Sequence, residues 1–306
     1  MPDGAGRASV VEVADRVFAY VQPDGGWFVN NTGFVAGRSE VLSIDTCATV
    51  PRTLAYLRAV EDTTRRPIRT VVNTHHHGDH TYGNALVPGA TLIGHRYVRE
   101  ALLAWGDPPE PIHFEPVEWG PVEIVPPEVT FDDHLWVHVD EVTCLVKHFG
   151  VPAHTLGDAV VWLPEERVLF SGDLLFHGVT PLMSHGSVSG ALTVLDRLQA
   201  LEPQVVVPGH GPVGGPAMID EVRRYLLFVQ GVAELGRSAG LTPLEAAREA
   251  DLGDYTNLPD SERIVGNLHR CYAELDGRPL GARLDMAAVF GDMVAYNGGR
   301  PLSCSA

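Results

Sequence analysis

The 306-residue chain is 45% hydrophobic and 20% charged, a balance that suits a folded protein with a substantial core in one large domain or two ordinary ones. Its formal net charge of −17 comes without any run of Lys or Arg, so it repels phosphate backbones and anionic lipid, and nucleic acid and membrane are poor partners. No stretch reaches the roughly 20 apolar residues of a membrane span, and the first residues lack the basic and apolar regions of a signal peptide, so the expected location is cytoplasmic.

Along the first 45 residues, β-rich runs (VVEVA, VFAYVQ, WFVNNTGFVA, EVLSID) alternate with Gly and Asn turns. The stretch PRTLAYLRAVEDTTRR has helical spacing, with Pro51 early and apolar residues at 54, 57 and 60. IRTVVN then predicts a buried strand that ends where a histidine cluster begins, and α/β folds place chemistry at the carboxyl ends of strands. Residues 107–128 are Pro-rich and read as an irregular connection or lid. Strands follow at HLWVHV, EVTCLVKHF, AVVWLP and RVLFSG, then a helix at SGALTVLDRLQAL, then the strand QVVVPGH, which again ends in a histidine.

Two β-rich halves, each closing with an apolar strand that runs into a histidine, predict an α/β protein of αββα sandwich type. From residue 216 the pattern turns helical, with Thr242 and Glu245 spaced as a capping box. The expected division is a metal-binding domain over 1–215 and a C-terminal helical extension over 216–306. The apolar helix faces of that extension suit packing on the sandwich or a homodimer contact equally. Cys47, Cys144, Cys271 and Cys304 are scattered, with no C-x-x-C pair; they read as small buried hydrophobes, with Cys304 near a loose tail.

The segment NTHHHGDHTYGN, residues 73–84, carries four histidines and an aspartate in six consecutive positions. In an extended chain His75 and His77 share a face and His76 points away. Gly78 lets the backbone turn, so that Asp79 and His80 reach a neighbouring position. The pattern offers two ligands to one metal and two to another, and each Zn²⁺ takes about four. Further ligands are expected downstream at strand ends or tight turns: His154 in GVPAHTLGD, Asp173 in LFSGD and His210 in VVVPGHGP.

The ordered set H-x-H-x-D-H, H-T-x-G-D, S-G-D and P-G-H-G resembles the metallo-β-lactamase superfamily of binuclear hydrolases, over about residues 10–215. The resemblance implies the αββα metallo-β-lactamase sandwich and two Zn²⁺, with manganese or iron also compatible with the ligand types. It implies His75, His77 and His154 at the first metal, Asp79, His80 and His210 at the second, and Asp173 bridging, with Asp79 and Asp173 as the catalytic carboxylates. His76 is then expected to support a ligand from outside or to serve packing, and not to bind metal. Asp45 is expected to orient a ligand, and Asp158 to do the same or to stabilise its turn. His95, His113, His134, His138, His148 and His269 lack ligand spacing and read as surface or interface residues.

Further segments look like the metallo-β-lactamase-type cyclases of bacterial aromatic polyketide pathways: GGWFVNNTGFV, GVTPLMSHGSVSGALTVLDRL, ERIVGNLHRCYAEL and MVAYNGGRPLSC. That resemblance implies aldol-type ring closure with dehydration, with or without thioester hydrolysis; the alternative is a general metal-dependent hydrolase of a thioester, lactone or other ester. The substrate would be a small aromatic polyketide, free or presented by an acyl carrier protein. Carrier proteins are usually acidic, so docking one on this chain needs a local basic patch, for which Arg65, Arg66, Arg96 and Arg99 are the candidates. Trp27, Phe28, Phe176, His177, Met183 and His185 are expected to line the substrate cleft, while Trp105 reads more readily as core.

Overall fold

The structure, a computed structural model, describes residues 8–105 and 113–306, with the side chain of Trp105 outside the described set. The expectations for residues 1–7 and for 107–112 of the Pro-rich stretch therefore lie outside the described residues. One sheet takes β1 (Ser9–Ala14), β2 (Val17–Val21), β3 (Thr32–Ala36), β4 (Val41–Ile44), β5 (Ile68–Asn73), β6 (Thr91–His95) and β7 (Val129–Phe131), neighbours in space as in sequence. Its first four strands pair antiparallel, and β4 to β7 pair parallel. The other sheet takes β8 (His134–Val139), β9 (Val142–His148), β10 (Ala159–Leu163), β11 (Val168–Phe176) and β12 (Val205–His210), again in order, with β11 and β12 parallel.

The sheets bury one face against each other. Val35, Leu42, Ile44 and Val72 from the first meet Cys144, Val146, Val161 and Phe170 from the second. In β9 burial alternates residue by residue, the signature of a strand with one face in the core. The outer face of the first sheet is covered by α1 (Val50–Thr64), whose Tyr56 and Val60 pack on Tyr20, Phe34 and Val41. Thr49 caps this helix by accepting from the Arg52 N–H, and Arg65 ends it in the left-handed region. Next along the chain are the single turn α2 (Gly78–Thr81) and α3 (Arg96–Trp105).

The outer face of the second sheet is covered by α4 (Val188–Gln199) and α5 (Ala217–Ser238), and α6 (Pro243–Glu249), α7 (Arg263–Leu275) and α8 (Met286–Tyr296) pack with them. Leu169, Leu175 and Val206 of the sheet share one apolar cluster with Leu195, Leu226, Leu268 and Met293 of these helices. Thr242 and Glu245 do form a capping box at the start of α6. Among the described residues no helix is long and apolar enough to cross a membrane.

The structure corrects three local expectations. WFVNN is not a strand but a loop, in which Phe28 takes φ +61°. The short strands β6 and β7, which the sequence reading did not pick out, complete the first sheet. The C-terminal tail is not loose: Leu302 is fully buried and pairs with Phe114, and the Arg52 guanidinium donates to Ser305 O.

Candidate metal centre

The histidine segment leaves the end of β5 and is pinned on both sides. Asn73 and Asn84 hydrogen-bond across its base, and Asn73 Nδ2 donates to His80 O at 3.0 Å. Thr74 donates its N–H to Asp45 Oδ1 and its hydroxyl to Asp45 Oδ2, both at 2.7 Å. Thr81 Oγ1 donates back to His77 O at 2.9 Å, closing α2. Asn73 and Asn84 were not foreseen, although both lie inside the quoted motif.

Two groups of candidate ligand atoms result, each within 4.8 Å of one another: His75, His77, His154 and Asp173, and Asp79, His80 and His210. In the first, His77 Nδ1 lies 3.2 Å from His75 Nε2 and 2.8 Å from His154 Nε2. In the second, His210 Nε2 lies 3.2 Å from Asp79 Oδ2. Asp173 stands between them, with Oδ2 3.3 Å from both His154 and His210 and Oδ1 3.1 Å from His80 Nε2.

The glycines around Asp173 are required where they stand. Gly172 breaks the β11–β12 register at φ +49°, and a Cβ on it would come within 2.6 Å of Thr74 Oγ1. A Cβ on Gly209 would overlap Asp173 Oδ1.

Each ligand histidine has its other ring nitrogen engaged. His75 Nδ1 faces Thr74 Oγ1 at 3.1 Å, His154 Nδ1 faces Leu182 O at 2.5 Å and His210 Nδ1 faces Gly25 O at 3.0 Å. His80 Nδ1 meets Asp45 Oδ2 at 2.8 Å, and His77 Nε2 meets His185 Nδ1 at 2.9 Å. Such outer bonds fix the ring orientation and, in a neutral ring, the tautomer.

The electrostatics fit divalent cations. Burial, reinforced by neighbouring imidazoles, holds His75 and His77 well below the ordinary value, which leaves lone pairs on these two rings to face inward. Burial also opposes charge on His80 and His210, yet surrounding carboxylates hold His80 well above its usual value and His210 at about 9. Burial would raise Asp173, but His210, His80, His154 and His75 outweigh it and keep the carboxylate well below its usual range. Protons on His80 and His210 thus occupy the role a metal dication would take. His80 Nε2 and Asp173 Oδ1, both buried, find no aligned hydrogen-bond partner despite their closeness. This nitrogen and oxygen donor set suits Zn²⁺.

The structure distributes the other expected residues unevenly. Asp45, at φ +61°, reaches His80 as described. Asp158 binds the Thr155 N–H and hydroxyl, holding the turn after His154. His185 is brought to His77, and burial lowers its pKa to about 4. The His76 ring lies 4.8 Å from that of His77.

Phe176 is buried behind the ligands, stacked on His210 at 5.4 Å. Phe28 is half-buried against Phe114 and Trp119. Trp27 is buried, donating Nε1–H to Glu262 Oε1 at 2.7 Å beneath the Arg263 guanidinium.

Met183 is fully buried in the core under α7, because Asn267 captures its N–H. His177 turns to Pro212 O, at 2.8 Å, and toward Glu221.

His95 and His148 are not surface residues: both are buried, with rings 4.1 Å apart. Arg96 pairs with Asp132 at 2.7 Å, whereas Arg99 donates to the neutral Pro127 O and keeps its charge.

The family model of the Metallo-beta-lactamase superfamily matches residues 25–210. The chain is 26% identical over 228 residues to a metallo-beta-lactamase type 2 of Bacteroides fragilis, covering 71% of this chain and 85% of that protein. It is 28% identical over 165 residues to a hydroxyacylglutathione hydrolase of Rhodospirillum rubrum, covering 53% and 55%. Apart from the Bacteroides protein, the chain spans about half to three-fifths of the length of the first curated relatives it matches. Among solved structures, a metallo-beta-lactamase from Pontibacter korlensis superposes with a TM-score of 0.61 at 19% identity, covering 72% of this chain and 99% of that one. At that identity the likeness establishes the fold.

Proposed function

Because the chain belongs to the metallo-β-lactamase superfamily of metal-dependent hydrolases, we propose that its centre holds two Zn²⁺ and closes a ring in an aromatic polyketide intermediate. The reaction is an aldol-type condensation with loss of water, and hydrolysis of a carrier or small-molecule thioester accompanies it. The observation that supports an aromatic substrate is a row of rings beside the ligand loop. Tyr82 packs on Gly78, between His77 and Asp79. Trp119 lies 6.2 Å from Tyr82 and 4.9 Å from Phe28, and Phe28 lies 5.1 Å from Phe114. Phe28, Phe114 and Trp119 are half-buried, leaving ring surface on which a flat polyketide stacks.

When bound, two divalent cations polarise a carbonyl, lower the pKa of water and stabilise enolate charge. His75, His77 and His154 would hold one and Asp79, His80 and His210 the other, with Asp173 shared. The chain's own groups do the remaining work. Asp45 and the carbonyls of Leu182 and Gly25 keep the imidazoles in one tautomer and one orientation. The aromatic row excludes water and flattens the substrate, which brings its reacting carbons together.

A second reading, hydrolysis of a simple thioester or lactone, is favoured by the similarity to a hydroxyacylglutathione hydrolase. Mass-spectrometric product analysis with a partly cyclised aromatic polyketide thioester separates the two. A new ring formed with loss of water, abolished by chelator, is the expected result. Uncyclised free acid as the sole product would replace cyclisation with plain hydrolysis.

A further inference from the structure

Arg263, Asn267, Arg270 and Glu274 recur on one face of α7, and each is hydrogen-bonded to the segment 180–189. Arg263 Nη1 donates to Thr180 O at 2.9 Å. Asn267 donates to Pro181 O at 2.8 Å and accepts from the Met183 N–H at 2.7 Å. Arg270 Nη2 donates to Ser184 O at 2.7 Å. Glu274 accepts from the Val188 and Ser189 N–H groups at 2.9 and 3.1 Å.

Arg263, Asn267 and Arg270 are at most 2% exposed, so leaving any of them unpaired is unfavourable and the loop is held in one register. That loop carries His185. The helix that holds it lies outside residues 25–210, the part of the chain that the family model matches.

We propose that His185 is a positioning residue for the candidate ligand His77, set in place by the polar face of α7. His77 Nδ1 faces the Nε2 atoms of His75 and His154, and three inward nitrogens so placed share a cation only if none carries a proton. The proton of a neutral His77 then sits on Nε2, and His185 Nδ1 accepts it. The outer nitrogens of the other four ligand histidines face oxygen atoms, on Thr74, Leu182, Asp45 and Gly25. A ring nitrogen in that place fixes the His77 ring and raises the basicity of its inward nitrogen. The proposal rests on the metal-centre reading and not on the choice of substrate.

Stepwise calorimetric metal titration, with the visible spectrum of the Co²⁺-loaded protein, reads this directly. His185→Ala is expected to weaken the site of His75, His77 and His154 by about 10- to 100-fold and to shift the Co²⁺ bands. His185→Asn, whose Oδ1 stands where Nδ1 stood, is expected to restore both. Asn267→Ala should weaken the same site in the wild-type background and add nothing in the His185→Ala background. Unchanged affinity and spectrum in His185→Ala overturn the proposal. If His185→Ala does not fold, His185→Gln keeps the bulk but displaces the acceptor, and a titration equal to that of His185→Asn overturns it as well. Wild-type protein that binds no metal would instead remove the metal-centre reading, and the proposal with it.

Discussion

Asp173 Oδ1 and His80 Nε2 lie 3.1 Å apart, both buried, and neither finds an aligned hydrogen-bond partner. Two buried ligand-type atoms held this close, off the line of a hydrogen bond, can share a cation. Asp173→Asn keeps the shape of the side chain but removes the charge both halves of the centre share. Turnover should fall by at least about 100-fold and metal content toward one per chain, with the circular dichroism of the fold unchanged. Full activity with two metals retained would refute the shared carboxylate.

Gly209 stands where any side chain would strike Asp173 Oδ1. Gly209→Ala should therefore displace the carboxylate and lower metal affinity by about 10-fold or more, and activity should not be recovered by excess Zn²⁺ at ordinary concentrations. Elemental analysis after gel filtration checks it; wild-type stoichiometry and turnover would show that the backbone gives way instead.

Phe28 is the cleaner probe of the aromatic row, because Trp27 is buried and bonded to Glu262. Phe28→Ala removes stacking worth about 0.5–1.5 kcal/mol beyond its area. KM for a polycyclic thioester should rise by roughly 3- to 10-fold, with little change for a small lactone. Equal losses on both substrates would argue for a general packing defect.

His95 Nε2–H donates to Asp132 O and its Nδ1 accepts from the Tyr97 N–H, so a second ring proton has no acceptor. Burial, and then the charge of His148, lower its pKa from 6.5 to about 4. A base whose folded pKa is depressed contributes stability present above about 6.5 and lost as pH falls toward 4. The melting temperature should decline across that window, and less steeply in His95→Gln, which keeps a donor near the Nε2 position and cannot titrate. Parallel declines would assign the acid sensitivity to other groups.

The local parts of this protein were legible before folding. A histidine motif of fixed spacing, strands that run into it and a capping box depend on neighbours a few residues apart, and each produced its element. The strand TLIGH of β6 carries Gly94 and runs straight into α3, and β7 has only three residues. Helical spacing marked the C-terminal region, but spacing alone does not tell which polar residues of α7 the fold buries.

What the sequence alone determined was the chemistry available: seven ligand-type side chains in order, an α/β sandwich to present them and an acidic surface. Only the tertiary structure decided where the rest went. Met183 is claimed by Asn267 on α7 and Trp27 by Glu262 just before that helix, His177 by the turn at Pro212, and His185 is delivered to His77 by a helix far along the chain. Burial and hydrogen-bond partnership over such separations belong to the packed state, because a buried polar group must find its partner wherever the fold has placed one.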